Sequence, residues 1–297
     1  MFVIRGNKPL PVIWLVLILL AACGKTLSTL PDSPAFSPTL TNSSPAASPV
    51  SPTSTLSRQE TPHPSALAPS PVPTFEICSP LAGIPLQQLS ALIVNPFHPP
   101  VAGSDDPHQG IDLAVTGQGN AIALEGNGVQ ALMSGHVASV IADRFPYGNA
   151  VIIETRWQDL PPAWRQQLSS SSQAHAPSGH SALTCPPAPT PQWDEKQRSL
   201  YLLYAHMQAE PDLQIGEAVA CAQALGAVGS SGNALNPHLH LEARLGPPEV
   251  YFSSLAHYDA SATPLEMANY CTWRVSGYFQ AIDPLQLLEE ENLIGGK

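Results

Sequence analysis

The sequence predicts a single, mainly β domain, one antiparallel sheet with few short helices, carried behind a disordered linker. Three observations predict it. The first 74 residues differ in composition from all that follows. From Phe75 onward the chain is a series of short apolar runs of period two or rich in β-branched residues, separated by Gly, Pro and Asn. No internal repeat and no helical heptad breaks that pattern.

Arg5 and Lys8 precede an uninterrupted apolar stretch from Val12 to Leu20, which ends in Leu20-Ala21-Ala22-Cys23. That is the layout of a signal peptide over residues 1–22. The run is shorter than the roughly 20 residues that a membrane-spanning helix needs. Small residues followed by Cys23 resemble the bacterial lipobox, in which the cysteine becomes the lipid-modified first residue of the mature protein. The resemblance implies an exported protein held by lipid at Cys23 to the outer face of the cell membrane or elsewhere in the envelope. Residues 23–74 are dominated by Pro, Ser, Thr and Ala. Such a segment cannot bury enough apolar surface to offset its conformational entropy, so a disordered tether is expected.

Residues 75–297 hold nearly all the aromatic residues and are long enough for one domain with its own core. The formal net charge is −11 and no basic cluster appears, which gives no support to nucleic-acid binding. Beyond Cys23 there are four cysteines, Cys78, Cys185, Cys221 and Cys271. An even number in an exported domain reads as two disulfides, with all three pairings open, and buried free thiols are the other reading. None stands at the close spacing of a structural zinc site.

The expected strands are Ile111 to Val115, Val129 to Leu132, Gly135 to Ala142, Ala150 to Thr155, Ser199 to His206, Ala218 to Cys221 and His238 to Leu245. Pro146-Tyr147-Gly148-Asn149 supplies a hairpin-like turn. Residues 157–198 are rich in Ser, Pro, Gln and Ala, and read as a structureless, solvent-exposed insertion on a hairpin, with Cys185 available to pin it down.

Three stretches carry chemistry. In Pro107-His108-Gln109-Gly110-Ile111-Asp112-Leu113, His108 and Asp112 share parity, so an extended chain presents both to one side while Ile111 and Leu113 turn to the core. An exposed i,i+4 pair on a helix is disfavoured by Gly110 and β-branched Ile111. In Asn236-Pro237-His238-Leu239-His240-Leu241-Glu242, alternation places both histidines and Glu242 on one face. Neighbouring imidazoles bring polar nitrogens that a core would have to satisfy. Leu203-Tyr204-Ala205-His206-Met207 ends an apolar strand on a third histidine. Together they offer three protein ligands for a catalytic zinc, whose open position takes a water, and two further imidazoles.

The order His-x-Gly-x-Asp, Tyr-Ala-His, Gly-x-x-Gly-Ser-Ser-Gly-Asn and Pro-His-Leu-His-Leu-Glu resembles the lysostaphin/LytM family of peptidoglycan endopeptidases, over Asn95 to Arg244 without the insertion. The resemblance implies the duplicated hybrid-motif β domain of that family, one zinc held by His108, Asp112 and His240, and catalytic roles for His206 and His238. It implies cleavage of peptide bonds in peptidoglycan stem peptides or cross-bridges. Glu242 reads equally as an orienting partner of a histidine and as an exposed or salt-bridged glutamate. Gly229 to Asn233 reads as a loop near the site, His136 as structural or exposed, and His63, His98, His175, His180 and His257 receive no role. The family pattern departs at the loop Ala102 to Asp106, which lacks a tyrosine that assists the oxyanion in some relatives. The insertion and the tail from Gly246 have no family counterpart. Other functions left open are a non-catalytic activator of a cell-wall amidase, the class in which metal ligands are typically lost, and a peptidase acting on another exported protein.

Overall fold

The computed structural model describes residues 75–114, 124–171, 183–188, 191, 194 and 197–289. The signal peptide, Cys23 and the tether lie outside the described residues, as does Val115. The described strands are β1 (Ile93–Asn95), β2 (Ile111–Leu113), β3 (Gly128–Gln130), β4 (Gly135–Arg144), β5 (Gly148–Arg156), β6 (Ser199–Met207), β7 (Ala218–Val219), β8 (Ala224–Ala227), β9 (Leu239–Gly246) and β10 (Gln280–Ile282). Three α-helices accompany them: α1 (Pro162–Ser171), α2 (Pro264–Arg274) and α3 (Leu285–Glu289). No helix among the described residues is long and apolar enough to cross a membrane.

One sheet dominates, in the order β1-β2-β9-β6-β5-β4-β7, with β10 continuing the β2 edge of β9 and every pair antiparallel. β3 and β8 form a separate two-stranded sheet. Each of the seven runs expected from periodicity contains a strand. β1, β8 and β10 were not expected; three or four residues are too few to display a period.

The sheet is buried on both faces, which explains why β6 reads as a continuous apolar run rather than a clean alternation. Leu200, Leu202 and Tyr204 of β6 join Leu239, Leu241 and Ala243 of β9 in the larger core. Tyr201, Leu203 and Ala205 face the other way, into a second core completed by Phe252, Leu255, Tyr270, Trp273 and Phe279 of the C-terminal tail. The C-terminal tail thus packs on the face of the sheet that carries the second core. Its helix α2 starts on a capping box: Thr263 Oγ1 accepts from the Glu266 backbone N–H, while the Glu266 side chain accepts from the Thr263 N–H, with Pro264 in the first turn.

The insertion corrects the expectation of a structureless, exposed segment. It lies between the paired strands β5 and β6, but it opens with a 3₁₀ turn at Trp157–Asp159 and then α1. Trp164 and Leu168, one helical turn apart, are buried in the larger core, and the Trp164 ring meets Phe75 edge-on at 5.3 Å between centroids. Disulfides join Cys78 to Cys221 and Cys185 to Cys271, so the insertion is tied to α2.

Candidate metal centre

Register brings the first candidate pair together: Asp112 in β2 stands opposite His240 in β9, and across the other edge of β9 His240 stands opposite Ala205, next to His206. His108 lies before the strand expected to start at Ile111, in the irregular stretch between the cis Asp106-Pro107 peptide and β2, and reaches the site from that loop. Asp112 Oδ1 lies 3.0 Å from His108 Nε2 and 2.8 Å from His240 Nδ1, and the two ring nitrogens are 3.1 Å apart. Gly110 allows this approach, because a Cβ there would fall 2.6 Å from the Leu241 carbonyl oxygen and 2.8 Å from His240 Cε1.

The far side of each candidate ligand is committed. His108 Nδ1 donates to the Pro96 carbonyl at 3.0 Å, His240 Nε2 donates to Glu242 Oε1 at 3.2 Å, and Asp112 Oδ2 accepts from Asn95 Nδ2 at 3.0 Å. A carbonyl and a carboxylate accept only, so the outer nitrogen of each ring carries a proton and the inner nitrogens turn to Asp112 Oδ1. Two imidazole nitrogens and a carboxylate oxygen converge this closely where a cation or a shared proton lies among them. The donor set fits a catalytic zinc with one position left for water, and the outer acceptors fit the partners that orient such ligands.

Glu242, which sequence left between two readings, is fully buried. Its carboxylate accepts from the Tyr147 hydroxyl (2.9 Å), Trp273 Nε1 (2.9 Å), Arg244 Nε (2.9 Å) and Arg274 Nη1 (2.6 Å), besides His240. Burial opposes its charge, but Arg244, Arg274 and His240 outweigh burial and hold it well below the usual carboxylate range. Asp112 is likewise opposed by burial and carried below that range by its hydrogen bonds to His108 and His240. For His240 burial pulls the other way, and hydrogen bonds to Asp112 and Glu242 overcome it, raising the imidazole to about 9.

His206 and His238 lie beside this cluster, with ring centroids 4.7 Å apart and His206 5.7 Å from His240. Each gives its Nδ1–H to a backbone carbonyl, His206 to Ser231 at 2.8 Å and His238 to Asn236 at 2.7 Å, which leaves both Nε2 atoms as acceptors. His238 Nε2 is 3.5 Å from Asp112 Oδ1. Burial first, then the neighbouring His240 and His238, depresses His206 to about 3, so it is neutral at ordinary pH. The Gly-Ser-Ser-Gly-Asn loop holds His206 in place: the Ser231 hydroxyl donates to the Met207 carbonyl and accepts from the Asn149 N–H, and Asn233 N–H donates to the Pro146 carbonyl. Gly232, at φ +69°, packs on the backbone of Pro146 and Gly148 where a Cβ would collide.

All five side chains line one cleft of about 640 Å³. Its other wall comes from residues to which sequence reasoning assigned no role: Tyr147, Tyr258, Tyr270 and Arg274. Tyr258 and Tyr270 both donate to Asp105 Oδ2, at 2.7 and 2.8 Å, so the tail brings tyrosines to the very loop that lacks one of its own. The capping box Thr263-x-x-Glu266 was a readable sign of α2, but nothing in the sequence says where that helix docks. His136, His98 and His257 stay outside the cleft; His257 is buried and pairs through Nε2 with the Thr184 carbonyl of the insertion.

Compared by sequence, the chain matches no family model and no curated protein. Compared by structure, it is similar to a putative peptidase M23 from Pseudomonas aeruginosa, at 20% identity over 52% of this chain and 43% of that one, with a TM-score of 0.27. A mutant catalytic domain of the prophage-encoded M23 protein EnpA from Enterococcus faecalis gives 22% identity over 54% and 85% of the two chains, with a TM-score of 0.30. The catalytic domain of the antimicrobial peptidase lysostaphin from Staphylococcus simulans gives 15% over 69% and 98%, with a TM-score of 0.35. The chain spans less than half the length of the Pseudomonas protein. At such TM-scores the likeness does not bear on function, and the assignment rests on the side chains of the cleft.

Proposed function

We propose that the chain is a zinc-dependent endopeptidase of the lysostaphin/LytM type, hydrolysing peptide bonds in peptidoglycan stem peptides or cross-bridges. One observation carries the reading: two imidazole nitrogens and a carboxylate oxygen converge in a cleft that is also lined by His206 and His238, each held through Nδ1 by a backbone carbonyl. A binding-only protein has no use for two such bases, which is why hydrolysis is favoured over amidase activation.

Zinc held by His108, Asp112 and His240 would acidify a water and polarise the scissile carbonyl. The chain's own work is proton handling. His206 or His238 accepts a proton at Nε2, its Nδ1–H remaining on Ser231 or Asn236. The resulting imidazolium faces the developing oxyanion and then returns the proton to the leaving amine, which closes the balance. The peptidoglycan substrate is the one that the motif resemblance implies. Export fits the two disulfides, and lipid at Cys23 would place the cleft at the wall side of a membrane. Zymography on purified peptidoglycan tests the function: clearing that a chelator abolishes and added zinc restores is expected, and no clearing by the zinc-loaded protein overturns it.

A further inference from the structure

Among the donors to Glu242, Arg274 is the one from helix α2 whose other end reaches the loop before β2. Nη1 donates to Glu242 Oε1 at 2.6 Å, and Nη2 donates to the Asp105 carbonyl at 2.7 Å. Glu242 in turn receives the Nε2–H of His240, and Asp105 stands three residues before His108 in the loop that delivers that ligand. One guanidinium therefore spans the two arms that carry the imidazole ligands, strand β9 on one side and the 105–107 loop on the other. Arg244 makes a second such tie, from Glu242 to the Gln109 side chain next to His108, and also reaches the Phe279 carbonyl, whereas Tyr147 and Trp273 each have a single donor to give.

Neutralising Glu242 does not by itself call for it, since Arg244 already pairs with that carboxylate at 2.7 Å. Anchoring of α2 does not call for it either. Trp273 is fully buried, Tyr270 is buried on the second core, Cys271 is bonded to Cys185, and the capping box fixes the first turn. What Arg274 supplies is geometry: its planar fork addresses two acceptors at once, adding from the tail a second tie between β9 and the His108 loop beside the one that Arg244 makes through Gln109.

We propose that Arg274, contributed by the C-terminal tail, is a positioning residue for the metal: it fixes the His108 loop against the Glu242–His240 pair and so sets the spacing of the two imidazole ligands. The inference rests on the metal-centre reading above. It also gives the tail a part in the site beyond covering the sheet.

The test uses the full chain with Arg274→Met and Arg274→Lys. Zinc affinity is measured by competition with a chromophoric chelator, the cobalt-loaded proteins are compared by visible spectrum, and the metal-free proteins are compared by thermal unfolding. Loss of an outer partner of a metal ligand typically lowers affinity 10- to 100-fold. Arg274 reaches the imidazoles only through Glu242 and the loop, so Arg274→Met is expected at the lower end, about tenfold, with an altered cobalt spectrum, while its metal-free unfolding midpoint stays close to that of the parent. Arg274→Lys keeps the charge but cannot bridge both acceptors, and is expected to lose affinity as well, by less. If Arg274→Met fails to fold, the lysine variant decides alone. Zinc affinity within twofold of the parent in the folded variants, or an unchanged cobalt spectrum alongside a large drop in the metal-free midpoint, overturns the proposal while leaving the metal centre standing. A parent protein that binds no zinc overturns both.

Discussion

At the scale of single residues, the site commits the outer nitrogens of its imidazoles so that the inner ones turn to the cleft. Pro96 and Glu242 do this for the ligands, and Ser231 and Asn236 for the other pair. A pH dependence follows. In metal-free protein His240 is raised to about 9 from an ordinary value near 6.5, so it holds a proton across neutral pH. The stability this proton confers is full below about 6.5 and is lost as pH rises through about 9, and zinc must displace it to bind. Apparent zinc affinity is therefore expected to rise about tenfold per pH unit between pH 7 and pH 9, with one proton released, as read by chelator competition and by calorimetry in buffers of different ionisation enthalpy. A flat profile over that window contradicts the assignment of His240. The residues of this site were legible because their chemistry is local. His108 and Asp112, and His238 and His240, are two to four residues apart, and buried imidazoles need a reason. Glu242 remained ambiguous because its partners Trp273 and Arg274 are some thirty positions away, and no periodicity connects them.

At the scale of elements, alternation located every long strand, since a sheet leaves its period of two in the side chains. It overlooked what packs on the sheet. α1 was hidden by a composition of Ser, Gln and Pro, although Trp164 and Leu168 stand at the i,i+4 spacing of an amphipathic face. That pair makes the insertion part of the core, so Trp164→Ala is expected to destabilise the protein by about 3–5 kcal/mol, the usual cost of removing a large buried aromatic side chain. Zinc content per folded molecule should stay unchanged, because α1 touches none of the ligands. Denaturant unfolding checks this, and a loss under about 1 kcal/mol returns the insertion to the solvent-exposed reading. α2 was missed for a different reason: its capping signal is clear, but its docking face of Tyr270, Trp273 and Arg274 has meaning only against a cleft assembled from distant strands.

At the scale of the whole molecule, a tail and an insertion joined by Cys185–Cys271 close over a sheet whose ligands come from β2, β9 and the loop before β2. The tether and the lipid lie outside the described residues, and rest on composition and the lipobox resemblance. Cys23→Ser is expected to move the protein from the membrane fraction to the soluble one, since several acyl chains hold firmly where one does not. Unchanged membrane association counts against the anchor. The central claim is the division of five side chains into three that hold metal and two that move protons. It is tested most directly by measuring zinc content and turnover of purified peptidoglycan side by side for alanine variants of all five. His108→Ala, Asp112→Ala and His240→Ala should lose both zinc and activity. His206→Ala and His238→Ala should keep stoichiometric zinc and lose about 10²- to 10⁴-fold in turnover, the range for removal of a general acid or base. An Asp112→Ala protein that keeps zinc and activity, or full turnover in both His206→Ala and His238→Ala, would contradict the account.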